Sequence, residues 1–264
     1  MKLVTTINKK ICIEDFCFEN ELLLIAGPCS IESKEQMFKV CEFLNKEEVK
    51  FIRAGAYKPR TSPYSFQGLK EIGLDIIKEI KNNFSLKIVS EIVDLAHLDF
   101  YCRYVDIIQV GARNMQNFNI LKELGKTKKP IILKRGFGNT IEEWLNAAEY
   151  LLTNGNENII LCERGIRTFE PMMRNTFDVG AIALGKTLSN LPIIGDPSHA
   201  AGRHDIVAPL ALAALAAGAD GLMIEIHPNP KQSISDSKQA LSFEEFSELL
   251  KKINALESLK KDIN

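Results

Sequence analysis

Eight short runs of apolar, mostly β-branched residues recur along the chain, each stopping at Gly, Pro or a charged residue before an amphipathic stretch begins. They cover residues 22–26, 50–54, 86–90, 105–110, 130–134, 158–162, 192–195 and 221–225. Between and after them, helical periodicity marks 34–45, 68–81, 94–101, 114–125, 141–153, 178–189, 205–217 and 243–259. The strand-to-strand interval of roughly 25 to 35 residues is that of one β/α unit with a crossover helix. Eight such units in 264 residues predict an α/β fold, a closed (β/α)8 TIM barrel with a packed centre. The competing fold, an open doubly wound sheet, more often uses about five or six strands and leaves units over. Ahead of the first run, alternation through Thr6, Asn8, Ile11, Ile13, Phe16 and Phe18 predicts a β-hairpin. Its turn is expected at residues 8–10 or near Asp15. Residues 1–20 are thus expected to close the barrel bottom and 21–264 to form the catalytic barrel.

Lys and Arg total 33 against 34 Asp and Glu, a net charge of -1. That balance argues against a nucleic-acid or anionic-membrane surface. The most apolar run, 208–219, is too short to span a bilayer, and the N-terminus has no continuous apolar signal region. A soluble, cytoplasmic protein is expected. Six cysteines form no CxxC pair and read as free thiols, with Cys29 set apart by its place after the first run.

In a parallel barrel the C-terminal ends of all strands share one mouth. The residues just beyond the runs are GPCS (27–30), RAGAYKPRTSP (53–63), GAR (111–113), KRG (134–136), CERGIR (162–167), GDPSH (195–199) and EIH (225–227). Six of the nine arginines, Arg53, Arg60, Arg113, Arg135, Arg164 and Arg167, fall there. A guanidinium fork binds carboxylate or phosphate through paired hydrogen bonds, so this segregation points to a multiply anionic substrate or two anionic substrates.

Cys29 on the first loop, His199 on the seventh, Glu225 at the end of the eighth strand and Asp236 in the loop after it are expected to converge across the seam between first and last strands. One thiolate, one imidazole and two carboxylates suit Mn, Fe, Co or Zn and are too soft to favour Mg. Of the other histidines, His227 shares a face with Glu225 if strand geometry persists, whereas His97 and His204 read as structural or surface residues. GxGxxG, GxxxxGK[ST] and GxSxG are absent.

Read in order, AGPCSIES (26–33), AGAYKPRTSPYSFQG (54–68), QVGARNMQN (109–117), ILKRG (132–136), CERGIRTFE (162–170), DPSHAAGR (196–203) and IEIHPNPKQSISDSKQAL (224–241) closely resemble 3-deoxy-D-arabino-heptulosonate 7-phosphate (DAHP) synthase. The branch resembled is the barrel-core one, also similar to 3-deoxy-octulosonate-8-phosphate synthase. The resemblance implies condensation of phosphoenolpyruvate with erythrose 4-phosphate, the entry to the shikimate pathway. It implies Cys29, His199, Glu225 and Asp236 as divalent-metal ligands; an Asn at position 29 would have marked metal-independent relatives. It places Arg53, Lys58, Arg113, Lys134 and Arg164 around phosphoenolpyruvate, and Lys58, Arg60 and Thr61 at the aldose phosphate. Lys58 then serves the developing alkoxide, and Glu163 either orients the attacking water or pairs with an arginine. KPRT at 58–61, where octulosonate synthases have a KANR-type sequence, points to the four-carbon aldose.

A homotetramer is implied as well, and, with no regulatory domain before the barrel, no fused-domain inhibition by Tyr or Phe is expected. His204 departs from the family's usual GRR, so no arginine contribution is assumed there. The alternatives are an octulosonate phosphate synthase using arabinose 5-phosphate and a non-catalytic phosphosugar sensor.

Overall fold

The computed structural model describes residues 2–7 and 10–263, with side chains through Lys260. Near the N-terminus a helical turn, α1 (Leu3–Thr6), precedes a two-stranded antiparallel hairpin, β1 (Cys12–Ile13) and β2 (Phe16–Cys17). Eight parallel strands follow: β3 (Leu23–Gly27), β4 (Phe51–Arg53), β5 (Lys87–Glu91), β6 (Ile107–Val110), β7 (Ile131–Lys134), β8 (Ile159–Glu163), β9 (Ile193–Gly195) and β10 (Gly221–Glu225). They close in sequence order, with β10 paired to both β9 and β3. All eight expected strands are present, and the closed barrel displaces the open-sheet alternative.

The helices are α2 (Lys34–Lys46), α3 (Glu71–Asn83), α4 (Leu98–Tyr104), α5 (Phe118–Gly125), α6 (Ile141–Thr153), α7 (Val179–Leu188), α8 (Pro197–Ala201), α9 (Val207–Ala216) and α10 (Phe243–Ile263). Local chemistry sets several starts: Ser33, Asn117, Asp178 and Asp196 each accept a backbone N–H at an N-cap, and Thr140 with Glu143 forms a full capping box. None of the described helices is long and apolar enough to cross a membrane.

Side-chain alternation divides the apolar residues into two layers. Inward-facing Leu23, Ile25, Phe51, Val89, Ile107, Ile132, Ile160, Cys162, Ile194 and Met223 fill the barrel centre. Their outward neighbours, among them Ile52, Ile88, Ile108, Leu133, Leu161, Ile193 and Ile224, meet the helices. Trp144 of α6 ties the layers, its buried indole N–H donating to the Leu133 carbonyl at 3.0 Å. Twice, an aspartate at a strand entrance accepts both a neighbouring strand's N–H and a helix lysine. Asp106 takes Ile88 and Lys81, and Asp220 takes Ile193 and Lys186.

The hairpin turns at Glu14–Asp15, one of the two expected places; Asn8 and Lys9, within the other, lie outside the described residues. Residues 3–6 form helix rather than extended chain because Val4 is drawn into the core, its N–H bonded to Glu149. Ile13 and Phe16 plug the inner layer at the strand starts, with Phe16 edge-on to Phe51 at 5.1 Å. The expectation of six free thiols fails here. Antiparallel pairing sets Cys12 opposite Cys17 with Cα atoms 4.2 Å apart, and the two are joined as a disulfide. Hairpin register, not a CxxC spacing, brings them together. Cys29, Cys41, Cys102 and Cys162 are free.

Phe16→Ala should lower the unfolding free energy by about 3 kcal/mol, the cost of removing a fully buried aromatic ring. Urea denaturation followed by circular dichroism checks this; an unchanged midpoint would separate the hairpin from the barrel core.

Candidate active site at the barrel mouth

One step above the apolar centre, the same inward columns become polar. Phe51 is followed by Arg53, Val89 by Glu91, Ile107 by Gln109, Ile132 by Lys134, Ile194 by Asp196 and Met223 by Glu225. A period of two puts all six polar residues on the inner face. The cleft above them is lined by Cys29, Arg53, Lys58, Arg60, Thr61, Arg113, Lys134, Arg164, His199 and Asp236, all named from the sequence.

Closure brings the candidate metal ligands together. β10 runs beside β3 with Glu225 opposite Gly27, so Glu225 stands two residues from Cys29 in register. One ligand atom from each of Cys29, His199, Glu225 and Asp236 lies within 4.8 Å of the others. Cys29 Sγ is 3.2 Å and Glu225 Oε2 3.7 Å from His199 Nε2. Asp196 determines how the imidazole can act: its carboxylate lies 2.9 Å from His199 Nδ1, which places the ring proton there and leaves the Nε2 lone pair facing the cluster. Burial holds His199 well below its ordinary pKa, so the ring is neutral as a ligand must be. Burial also pushes the Cys29 thiol and Glu225 carboxyl up, a cost that a cation among them would offset. The donor set therefore fits a borderline divalent ion.

Asp236 reaches the cluster from a left-handed backbone, φ 55°, a region that aspartate tolerates better than most residues. Burial opposes its charge, but Lys58 beside it holds the carboxyl below the usual carboxylate range. Lys58 is ion-paired to Asp236 and donates to Ser235 Oγ at 3.0 Å. Although burial works against its charge, the surrounding Cys29, Glu225 and Asp236 hold Lys58 above the ordinary lysine pKa. It is an ammonium at neutral pH. Gly55 keeps this loop close, since a Cβ there would stand 2.8 Å from the Cys29 carbonyl.

Arg53 is almost fully buried and braces the seam, donating to the Pro28 and Gly27 carbonyls and lying 3.3 Å from Glu225. Lys134 is paired with Asp196 at 2.5 Å. Arg113 reaches Thr61 Oγ1 at 3.2 Å, linking the β6 loop to the KPRT segment. Burial pushes Arg164 down to about 10, still cationic at neutral pH, and one of its buried terminal nitrogens has no hydrogen-bond partner.

Three residues singled out in the sequence stand away from the cleft lining. Glu163 lies outside the cleft lining: Leu161 before it faces the helices, so the same parity turns Glu163 outward, where it meets Arg135 at 3.0 Å and the Gly165 N–H. Arg135 follows inward Lys134, so it also faces outward and is held between Glu163 and Asp178. Strand geometry does not continue to His227. β10 ends at Glu225, and His227 turns to Glu32 at 3.2 Å.

Other residues in the cleft escaped the sequence reading. Glu91 and Gln109 face it, joined by a 2.9 Å hydrogen bond, with burial raising the Glu91 carboxyl. Their signal was inward parity above Val89 and Ile107. Arg174 contacts Asp236 and Gln239 from the middle of a long loop, where no periodicity could locate it. Tyr57 and Phe137 complete the wall.

The model of the DAHP synthetase I family matches residues 13–261. A phospho-2-dehydro-3-deoxyheptonate aldolase of Thermotoga maritima is 51% identical over 233 residues, 88% of this chain and 69% of that one. A 2-dehydro-3-deoxyphosphooctonate aldolase of Geobacter sulfurreducens is 28% identical over 262 residues, 92% of this chain and 95% of that one. The crystal structure of the Thermotoga maritima DAHP synthase superposes with a TM-score of 0.93 at 47% identity, covering 98% of this chain and 77% of that one. With an eightfold barrel whose mouth gathers cations beside a thiol, an imidazole and two carboxylates, the chain belongs to the DAHP synthetase I family.

Proposed function

We propose that this cleft condenses phosphoenolpyruvate with D-erythrose 4-phosphate and water, giving 3-deoxy-D-arabino-heptulosonate 7-phosphate and inorganic phosphate, the first step of the shikimate pathway. The observation that carries the reading is the placement of Lys58. Its ammonium pairs with Asp236 of the four-residue cluster, and its loop continues into Arg60 and Thr61 on the cleft wall.

Arg53, Arg113, Lys134 and Arg164 neutralise the carboxylate and phosphate of phosphoenolpyruvate. Lys58, Arg60 and Thr61 hold the aldose phosphate, which brings its aldehyde carbon to C3 of the enol. C3 bonds to that carbon, and Lys58 gives a proton to the alkoxide that forms. Water adds at the positive C2 and releases a proton to solvent, which offsets the one Lys58 gave up; the C2–O bond to phosphate then breaks with its electron pair on the phosphate, which takes the hemiketal hydroxyl proton as C2 becomes the ketone. The carboxylate that orients this water is assigned to Glu91, which faces the cleft, instead of Glu163, which does not. Cys29, His199, Glu225 and Asp236 would hold a divalent Mn, Fe, Co or Zn ion, which supplies Lewis-acid polarisation of the aldehyde oxygen. His199 serves through that ligation, with Asp196 keeping its ring in the required tautomer. The same reading makes the enzyme a cytoplasmic homotetramer.

Metal-replete protein given phosphoenolpyruvate should release phosphate with erythrose 4-phosphate in preference to arabinose 5-phosphate. Preference for the pentose would make it an octulosonate phosphate synthase, and no product with either would favour the sensor. Lys58→Ala should lower kcat by about 100-fold or more, the usual loss for a general acid; retained turnover removes the residue from proton transfer. Cys29→Ala should lose bound metal and activity while keeping its far-UV circular dichroism, and full metal content in the variant would exclude Cys29 as a ligand.

A further inference from the structure

Most arginines of this chain stand against carboxylates: Arg53 by Glu225, Arg60 and Arg174 by Asp236, Arg135 by Glu163 and Asp178, and Arg203 by Asp205. Arg113, Arg164 and Arg167 have no carboxylate within ion-pair distance among the described residues. All three gather instead at one aromatic ring. Their guanidinium carbons lie 5.2, 4.7 and 5.2 Å from the centroid of Phe137. They come from the loops after β6 and β8, and Phe137 from the loop after β7, so the ring sits at the centre of three adjacent strand ends. The backbone reinforces this arrangement, as the Arg167 N–H donates to the Phe137 carbonyl at 2.7 Å.

Like charges this close repel, and a carboxylate would ordinarily separate them. A phenyl ring attracts each cation electrostatically without occupying its N–H donors. Those donors remain available to an anion, and one buried terminal nitrogen of Arg164 has no hydrogen-bond partner. Phe137 itself lines the cleft.

We propose that Phe137 is a positioning residue whose ring holds Arg113, Arg164 and Arg167 as a preassembled clamp for the phosphate of phosphoenolpyruvate, with exposed Arg167 as its outermost member. The substrate named here rests on the function proposed above; the clamp for a phosphate group rests on the ring and its three cations.

Calorimetric titration of phosphoenolpyruvate into metal-replete protein, without aldose, separates binding from turnover. Phe137→Leu, which keeps apolar volume and removes the π face, should weaken binding about tenfold, while Phe137→Tyr should stay within about twofold of wild type. In steady state, Phe137→Leu should raise KM for phosphoenolpyruvate and leave kcat and KM for erythrose 4-phosphate nearly unchanged. Wild-type affinity in Phe137→Leu, or an equal loss in Phe137→Tyr, overturns the proposal. Arg167→Ala supplies a check at an exposed position: it should weaken binding in the wild-type background and by less in Phe137→Leu, whereas equal losses in both overturn it. Inorganic phosphate titrated in parallel separates the two readings. A wild-type protein that binds phosphate but not phosphoenolpyruvate, with phosphate binding weakened in Phe137→Leu, refutes the substrate and retains the clamp.

Discussion

Everything at the mouth depends on the parallel pairing of β10 with β3, which closes the barrel over five residue pairs and joins segments some two hundred positions apart in sequence. Without that seam, Cys29 and Glu225 would be at opposite edges of a sheet and the four donor atoms could not converge. Asp196 extends the arrangement from the next strand. It orients His199 and pairs with Lys134, so one buried carboxylate joins the four-donor cluster to the cationic side of the cleft. Burying such a charge is costly unless it is paired and hydrogen-bonded. Here the lysine, the imidazole N–H and the backbone N–H of His199 supply that compensation.

The mouth is divided by charge rather than uniformly cationic. On the seam side, Arg53 and Lys58 are matched by Glu225 and Asp236, which keeps both cations charged in a buried setting. Across the cleft, Arg113, Arg164 and Arg167 are grouped around Phe137. For Arg113, burial and the neighbouring charges of Arg174, Arg60 and Arg167 hold the guanidinium below its ordinary pKa, against a partial contribution from Glu91. An incoming dianion relieves that repulsion, whereas it would have to compete with carboxylates on the seam side. Binding can therefore discriminate between the two sides by charge before any shape selection.

Much of this was legible in the chain. Every barrel strand matched an apolar run, the four candidate ligands could be named from their places at and beyond the strand ends, and the seven proposed substrate contacts came from the family resemblance that the motifs carry. For Glu163 the sequence left open a water-orienting role or an arginine pair, and it stands paired with Arg135, since the alternation through Leu133 and Leu161 turns both outward. Glu91 was passed over: its inward parity was visible, but the third strand end has no cluster of arginines to draw notice. Phe137 illustrates a harder case, since its cation partners come from the loops after β6 and β8 while the ring comes from the loop after β7, and no local pattern joins the three loops.

What the sequence by itself determined is the number of β/α units, the inward or outward parity of each strand residue and the motif chemistry of the mouth, because these follow from periodicities of two and about 3.6 within short segments. Only the tertiary structure decided the disulfide between Cys12 and Cys17, the outward pairing of Glu163 with Arg135, the tautomer that Asp196 imposes on His199 and the gathering of three arginines at Phe137. The disulfide follows from hairpin register and the tautomer from Asp196 capping α8, but the Glu163 and Phe137 contacts depend on distances between groups from separate strands and loops. Such distances are set by barrel closure and loop packing, which no local run of residues records.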